Sequence, residues 1–165
     1  DVEMRWQACS RDRDVLACWR LRNGGANPGG IDLSAIPSTG WSTGAEGNPL
    51  SLDTLSRPVL GATCTLETTN IPSNALFAGL LIGLPIHDPG IDLTLLGMPG
   101  CRQYALGIQG FGLAVPGPTS PLALAIPNDS GLVGLTLAAQ SIAHAPHVNA
   151  FGLVTSNGLR LTLGN

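Results

Sequence analysis

The chain contains no lysine, and its eight basic residues, all arginine, stand against eleven carboxylates for a net charge of -3. Five of those arginines, Arg5, Arg11, Arg13, Arg20 and Arg22, fall before residue 23, where they alternate with Asp1, Glu3, Asp12 and Asp14. No basic field builds up to neutralise a run of phosphates, so a nucleic-acid partner is not expected. Long apolar runs are missing too. Gly, Pro, Asn or a charge interrupts them every few positions, short of the roughly 18 residues that a membrane helix requires, so no membrane insertion is expected. Aromatic residues are 4% and charged residues 12% of the 165 positions. A folded domain of this mass exposes about 7,700 Å², or about 400 Å² for each formal charge. So neutral a surface favours packing against a neighbour or against copies of itself.

Motifs of catalysis are scarce. There is no Gly-x-Ser-x-Gly elbow, no His-Glu-x-x-His helix, and no Cys-x-x-Cys or Cys/His cluster with zinc-ligand spacing. No enzyme is expected. What the chain does have is 44% hydrophobic residues together with 22 glycines and 13 prolines, which is too apolar for disorder and enough for one core. The expectation is a single domain over residues 1–165, with residues 1–22 an N-terminal strand and hairpin and residues 23–56 an irregular, loop-rich segment.

Four cysteines, Cys9, Cys18, Cys64 and Cys101, suggest two disulfides and hence an oxidising compartment. Four allow three connectivities; the favoured one joins Cys9 to Cys18 and Cys64 to Cys101. The chain opens directly on a strand-like pattern at Asp1, as expected of a processed secreted chain.

Period-two alternation is the dominant pattern. Val2, Met4, Trp6 and Ala8 share one face of a first strand, and Val15, Ala17, Trp19 and Leu21 share a face of the next, predicting a hairpin around a turn at residues 10–14. Leu60, Ala62, Cys64 and Leu66 alternate, and 75–82 reads as a buried strand. Further strands are expected over 91–96, 101–108 and 122–126. Residues 132–143 fit a strand better than a helix, and Asn157-Gly158 predicts a tight hairpin turn between two last strands. A strand-turn-strand unit also recurs at an offset of 27, matching Leu66 with Leu93 and Pro72 with Pro99. Strands at this spacing with Gly/Pro punctuation predict an all-β fold, an antiparallel, disulfide-linked β-sandwich of jelly-roll-like or Greek-key form.

The run IPNDSGLVGLTLAAQSI, a spacer, and FGLVTSNGLRLTLGN, preceded by RPVLGATCTLETTNIPSNALFAGLLIG and LLGMPGC, resembles an uncharacterised β-sandwich module of secreted bacterial proteins. The resemblance covers about residues 57–165. It implies secretion and the sandwich, and it transfers no catalytic residue.

Candidate sites are few. Asp88 and Asp92, beside His87 on a Pro/Gly loop, offer carboxylate oxygens for a hard cation such as calcium, or an Asx turn. His144 and His147 are three apart, but Pro146 forbids the helix that would aim both at one metal. Asn128 heads an Asn-Asp-Ser glycosylation pattern. Trp41, in a Gly/Ser/Thr loop, could stack on a sugar. These residues admit a glycan-binding or adhesion module. The preferred expectation is a secreted structural subunit that polymerises, with the strand carrying Val2, Met4 and Trp6 added to the open sheet edge of a neighbouring copy.

Overall fold

The computed structural model describes residues 48–87 and 89–164, together with the backbone of 7–11, 14–18 and 35–36. Strands β1 (Gln7–Arg11) and β2 (Asp14–Cys18) pair antiparallel from Gln7 opposite Cys18 to Arg11 opposite Asp14, so Ser10, Arg11 and Asp14 lie in strands where a turn was expected over 10–14. Then follow β3 (Ala35–Ile36), β4 (Ser51–Thr54), β5 (Thr63–Thr69), β6 (Phe77–Pro85), β7 (Ile91–Asp92), β8 (Arg102–Gln103), β9 (Ala105–Leu113), β10 (Thr119–Ala125), β11 (Thr136–His144) and β12 (Leu153–Thr162). Two short 3-10 turns at Thr94–Leu96 and Ser130–Leu132 are the only helical elements among the described residues. The fold is all-β, mostly antiparallel sheet.

One sheet has three strands in the order β10-β5-β4 and another has five, in the order β3-β12-β11-β6-β9. Both feed a single apolar cluster. Leu52, Cys64 and Leu66 come from the smaller sheet, and Ala78, Leu80, Leu113, Ala139, Ala143, Val154, Leu159 and Leu161 from the larger. Alternation explains the choice: in β5 Cys64, Leu66 and Thr68 are buried while their neighbours are not. A second, smaller cluster holds Leu93, Met98 and Cys101 with Leu153 against it.

Several expectations need correction. Asn157-Gly158 is no hairpin turn; β12 continues through it, paired along β11 from Thr136 opposite Thr162 to His144 opposite Leu153, with a register shift that sets Ser156 and Asn157 against Ser141 alone. Glycine stands at 158 because a β-carbon there would lie 2.5 Å from Cβ of Tyr104, a residue remote in sequence. The reversal between β11 and β12 is made instead at 145–152, where the Asn149 side chain accepts from the backbone N–H groups of Phe151 and Gly152.

The strand expected over 91–96 stops after Asp92, because the Asp92 carboxylate accepts from the Thr94 N–H and turns the chain into a 3-10 turn that closes on left-handed Gly97. The strand expected over 101–108 is split at Tyr104 into β8, which pairs β7, and β9, which pairs β6. The proposed 27-residue duplication is therefore not structural: Leu66 lies in β5 whereas Leu93 lies in a turn. The preference for strand over helix near 132–143 is met by β11.

Candidate functional site

The described cysteines are both free and buried, so the expected bridge between Cys64 and Cys101 is absent. The reason is topological. Cys64 faces the core shared by the two sheets and donates its thiol to the Ser56 carbonyl, while Cys101 belongs to the separate cluster with Leu93 and Met98. The disulfide-linked fold fails on this pair. In the hairpin, Cys9 lies opposite Leu16 and Cys18 opposite Gln7; the side chains of Cys9 and Cys18 lie outside the described ones.

Asp92 ends β7, exposed, with one carboxylate oxygen 2.8 Å from the Thr94 N–H and the other 3.9 Å from the Arg102 guanidinium. The hydrogen bonds from Thr94, aided by the charge of Arg102, hold its carboxyl below the usual aspartate range. Asp92 thus works as the cap of a turn. Its imagined calcium partner Asp88 is outside the described residues, and among those described no group of three or more His, Cys, Asp or Glu converges to hold a metal. The His144 ring stacks on Phe77, with centroids 5.6 Å apart and planes 3° from parallel. Asn128 is exposed in the loop after β10, next to Asp129, whose side chain caps Gly131. Val2, Met4, Trp6 and Trp41 lie outside the described residues.

The polar residues that matter most were missed by sequence reasoning. Gln140, fully buried on β11, accepts from the Tyr104 N–H at 2.9 Å and donates to the carbonyls of Arg102 and Ser156. It takes the place of backbone at the point where β8 gives way to β9. Asn157 does the same between the sheets: its carbonyl accepts from the Leu52 N–H and its amide donates to the Leu52 carbonyl, both at 2.9 Å. Thr68 of β5 and Ser141 of β11 hydrogen-bond across the core. Asn157 stands in the Asn-Gly pair that predicts a turn; no sequence motif marks Thr68, Gln140 or Ser141, and a Gln inside a strand read as apolar is the one signal available.

Two surfaces remain as candidates. A shallow cleft of about 300 Å³ beside the Val115–Pro116 bond is lined by Asn48, Asn70, Ile71, Ser73, Pro116, Gly117 and Pro118. It offers no carboxylate, imidazole, cation or aromatic platform, hence no acid-base pair. The other surface is the far end of β6 and β9. Leu84 and Leu106 face each other across the two strands and are 49% and 56% exposed, and Ile108 beside them is 71% exposed. No residue from 103 to 128 is charged. Apolar and neutral groups thus coincide on one flank, the pattern of an interaction surface. No protein-family model matches the chain, and no curated protein matches it either. No helix among the described residues is long and apolar enough to cross a membrane.

Proposed function

We propose that the chain is a secreted, non-enzymatic structural subunit, a β-sandwich that assembles with copies of itself into an extracellular fibre or layer by adding its N-terminal strand to a neighbour. The observation that carries this reading is the uncharged flank on which Leu84, Leu106 and Ile108 stand exposed. Left in water, such a flank favours association, because burying it removes apolar area from solvent and brings no like charges together. The sandwich is supported by the core common to both sheets and by the Asn157 and Thr68 hydrogen bonds that join them. Location outside the cell rests on the hairpin cysteines Cys9 and Cys18. Titrating thiols in denaturant without reductant should find two, those of Cys64 and Cys101; four would remove that support.

The test of assembly is particle size in native solution. Light scattering should report species well above the 16.9 kDa monomer, and changing Val2, Met4 and Trp6 together to aspartate should return the chain to a folded monomer. A wild-type chain that stays monomeric at every concentration refutes the reading. The glycan-binding alternative rests on the loop around Trp41 with a cation near Asp88 and Asp92; Trp41 and Asp88 lie outside the described residues, and the cleft beside Pro116 has no aromatic ring on which a sugar could stack.

A further inference from the structure

Strand addition needs an edge whose N–H and C=O groups are free along several residues, and the two larger sheets present four edges of unequal quality. β3 is two residues long. β4 carries exposed Asp53, and the Asn157 side chain already occupies both the N–H and the carbonyl of Leu52. β10 contains Pro121, which has no N–H to give, and Pro118 directly precedes it. Charge, proline and side-chain plugging are the usual ways in which an edge is closed to other chains.

β9 has neither charge nor proline. It runs nine residues and, among the described residues, pairs with one strand only, β6. Where it does depart from a plain strand, it does so outward: the register shifts between Ile82 and Gly83, leaving Ile108 as the extra residue. A β-carbon on Gly83 would collide with the backbone carbonyl of Leu106, so this bulge is built into the sequence. Two glutamine amides, from Gln103 and Gln109, rest on the carbonyls of Ala105 and Gly110 and are displaceable by a backbone N–H.

We infer that β9 is the acceptor edge of the assembly, and that its occupant is the segment 2–8 of a second copy. This rests on the proposed strand-addition reading and names the partner surface for it. The segment fits in three respects. Its seven residues span about 24 Å at the rise of a strand, within the length of β9. Its alternation puts Val2, Met4 and Trp6 on one side, to lie beside Leu106 and Ile108 of β9, with Glu3 and Arg5 on the other. Those two charges meet no charge on β9. A donor at one place and an acceptor at another make a head-to-tail contact, which propagates into open filaments unless the rotation closes a ring.

The test uses full-length chains and sedimentation velocity, with circular dichroism to check folding. Ile108→Lys places a charge on an already exposed side chain and should give a folded monomer. The variant with aspartate at positions 2, 4 and 6 should also be monomeric. Mixed in equal amounts, they should form a one-to-one heterodimer of twice the monomer mass, since the first keeps its donor and the second its acceptor. Ala123→Lys, on exposed β10, should assemble as the wild type does. If Ile108→Lys polymerises normally, or the mixture stays monomeric, β9 is not the acceptor, while strand addition elsewhere survives. If Ala123→Lys abolishes assembly as well, the effect is general charge and the assignment is overturned. A monomeric wild type whose melting temperature falls with Ile108→Lys indicates docking within one chain and overturns both readings.

Discussion

Strands β12 and β9 are ten and nine residues long and both contain glycine, yet they have opposite fates. In β12 most residues are buried, Gly158 lies under the Tyr104 ring, and Asn157 reaches out to tie down the neighbouring sheet. In β9 five consecutive residues are exposed, and a β-carbon on Gly112 would touch nothing within 4 Å. The same residue type therefore does two jobs. In β12 glycine makes room for a neighbour; at Gly112 in β9 it leaves open space. Buried side chains replace backbone partners along β12, whereas the side chains that reach the β9 carbonyls, Gln103 and Gln109, do so at an exposed edge.

Substitutions sharpen that contrast. The largest loss should come from Gln140→Leu, which takes the side-chain partner from the Tyr104 N–H and the Ser156 carbonyl in the interior, while the Arg102 carbonyl keeps the Thr155 hydroxyl; about 3 kcal/mol of unfolding free energy is expected in urea titration. An unchanged midpoint would break the claim that this side chain stands in for backbone. Gly158→Ala should cost about 2 kcal/mol by overpacking against Tyr104, whereas Gly112→Ala should stay within about 0.5 kcal/mol of the wild type. Equal effects at the two glycines would erase the distinction between the strands. Asn157→Ala, which frees both Leu52 backbone groups, should lower stability by about 1.5 kcal/mol and speed amide exchange at Leu52.

The smallest effect concerns Asp92. Its carboxyl is held below the ordinary aspartate value, so the contribution of the charged form is complete above that value and fades as pH falls through the lower, folded one. The Thr94 amide resonance should move over that acidic range and be pH-independent in Asp92→Asn. A shift centred at or above the ordinary value would contradict the turn-capping role.

Much of the strand content was legible because it is local. The alternation of Cys64 and Leu66, the apolar run that became β6, and Leu122 with Leu124 in β10 each announce a half-buried strand within a few residues. What the sequence hid is long-range. Asn157-Gly158 carries the strongest short hairpin signal, yet Tyr104 and Leu52, far away in the chain, decide what those two residues do. Cysteine spacing could not show that Cys64 and Cys101 face different clusters. Even the 91–96 strand failed for a single side chain, Asp92, reaching two residues ahead. The candidate edge was half legible: the neutral run from 103 to 128 is plain in the sequence, but only the pairing order makes β9 a border.

Hydrogen exchange followed by NMR across a dilution series addresses the self-association of this edge most directly. The amides within 105–113 that point away from β6 should exchange quickly in dilute solution and become protected as concentration rises, while those pointing at β6 and the paired amides of β12 remain protected throughout. If protection along β9 is the same at every concentration, the edge is not where copies of the chain meet.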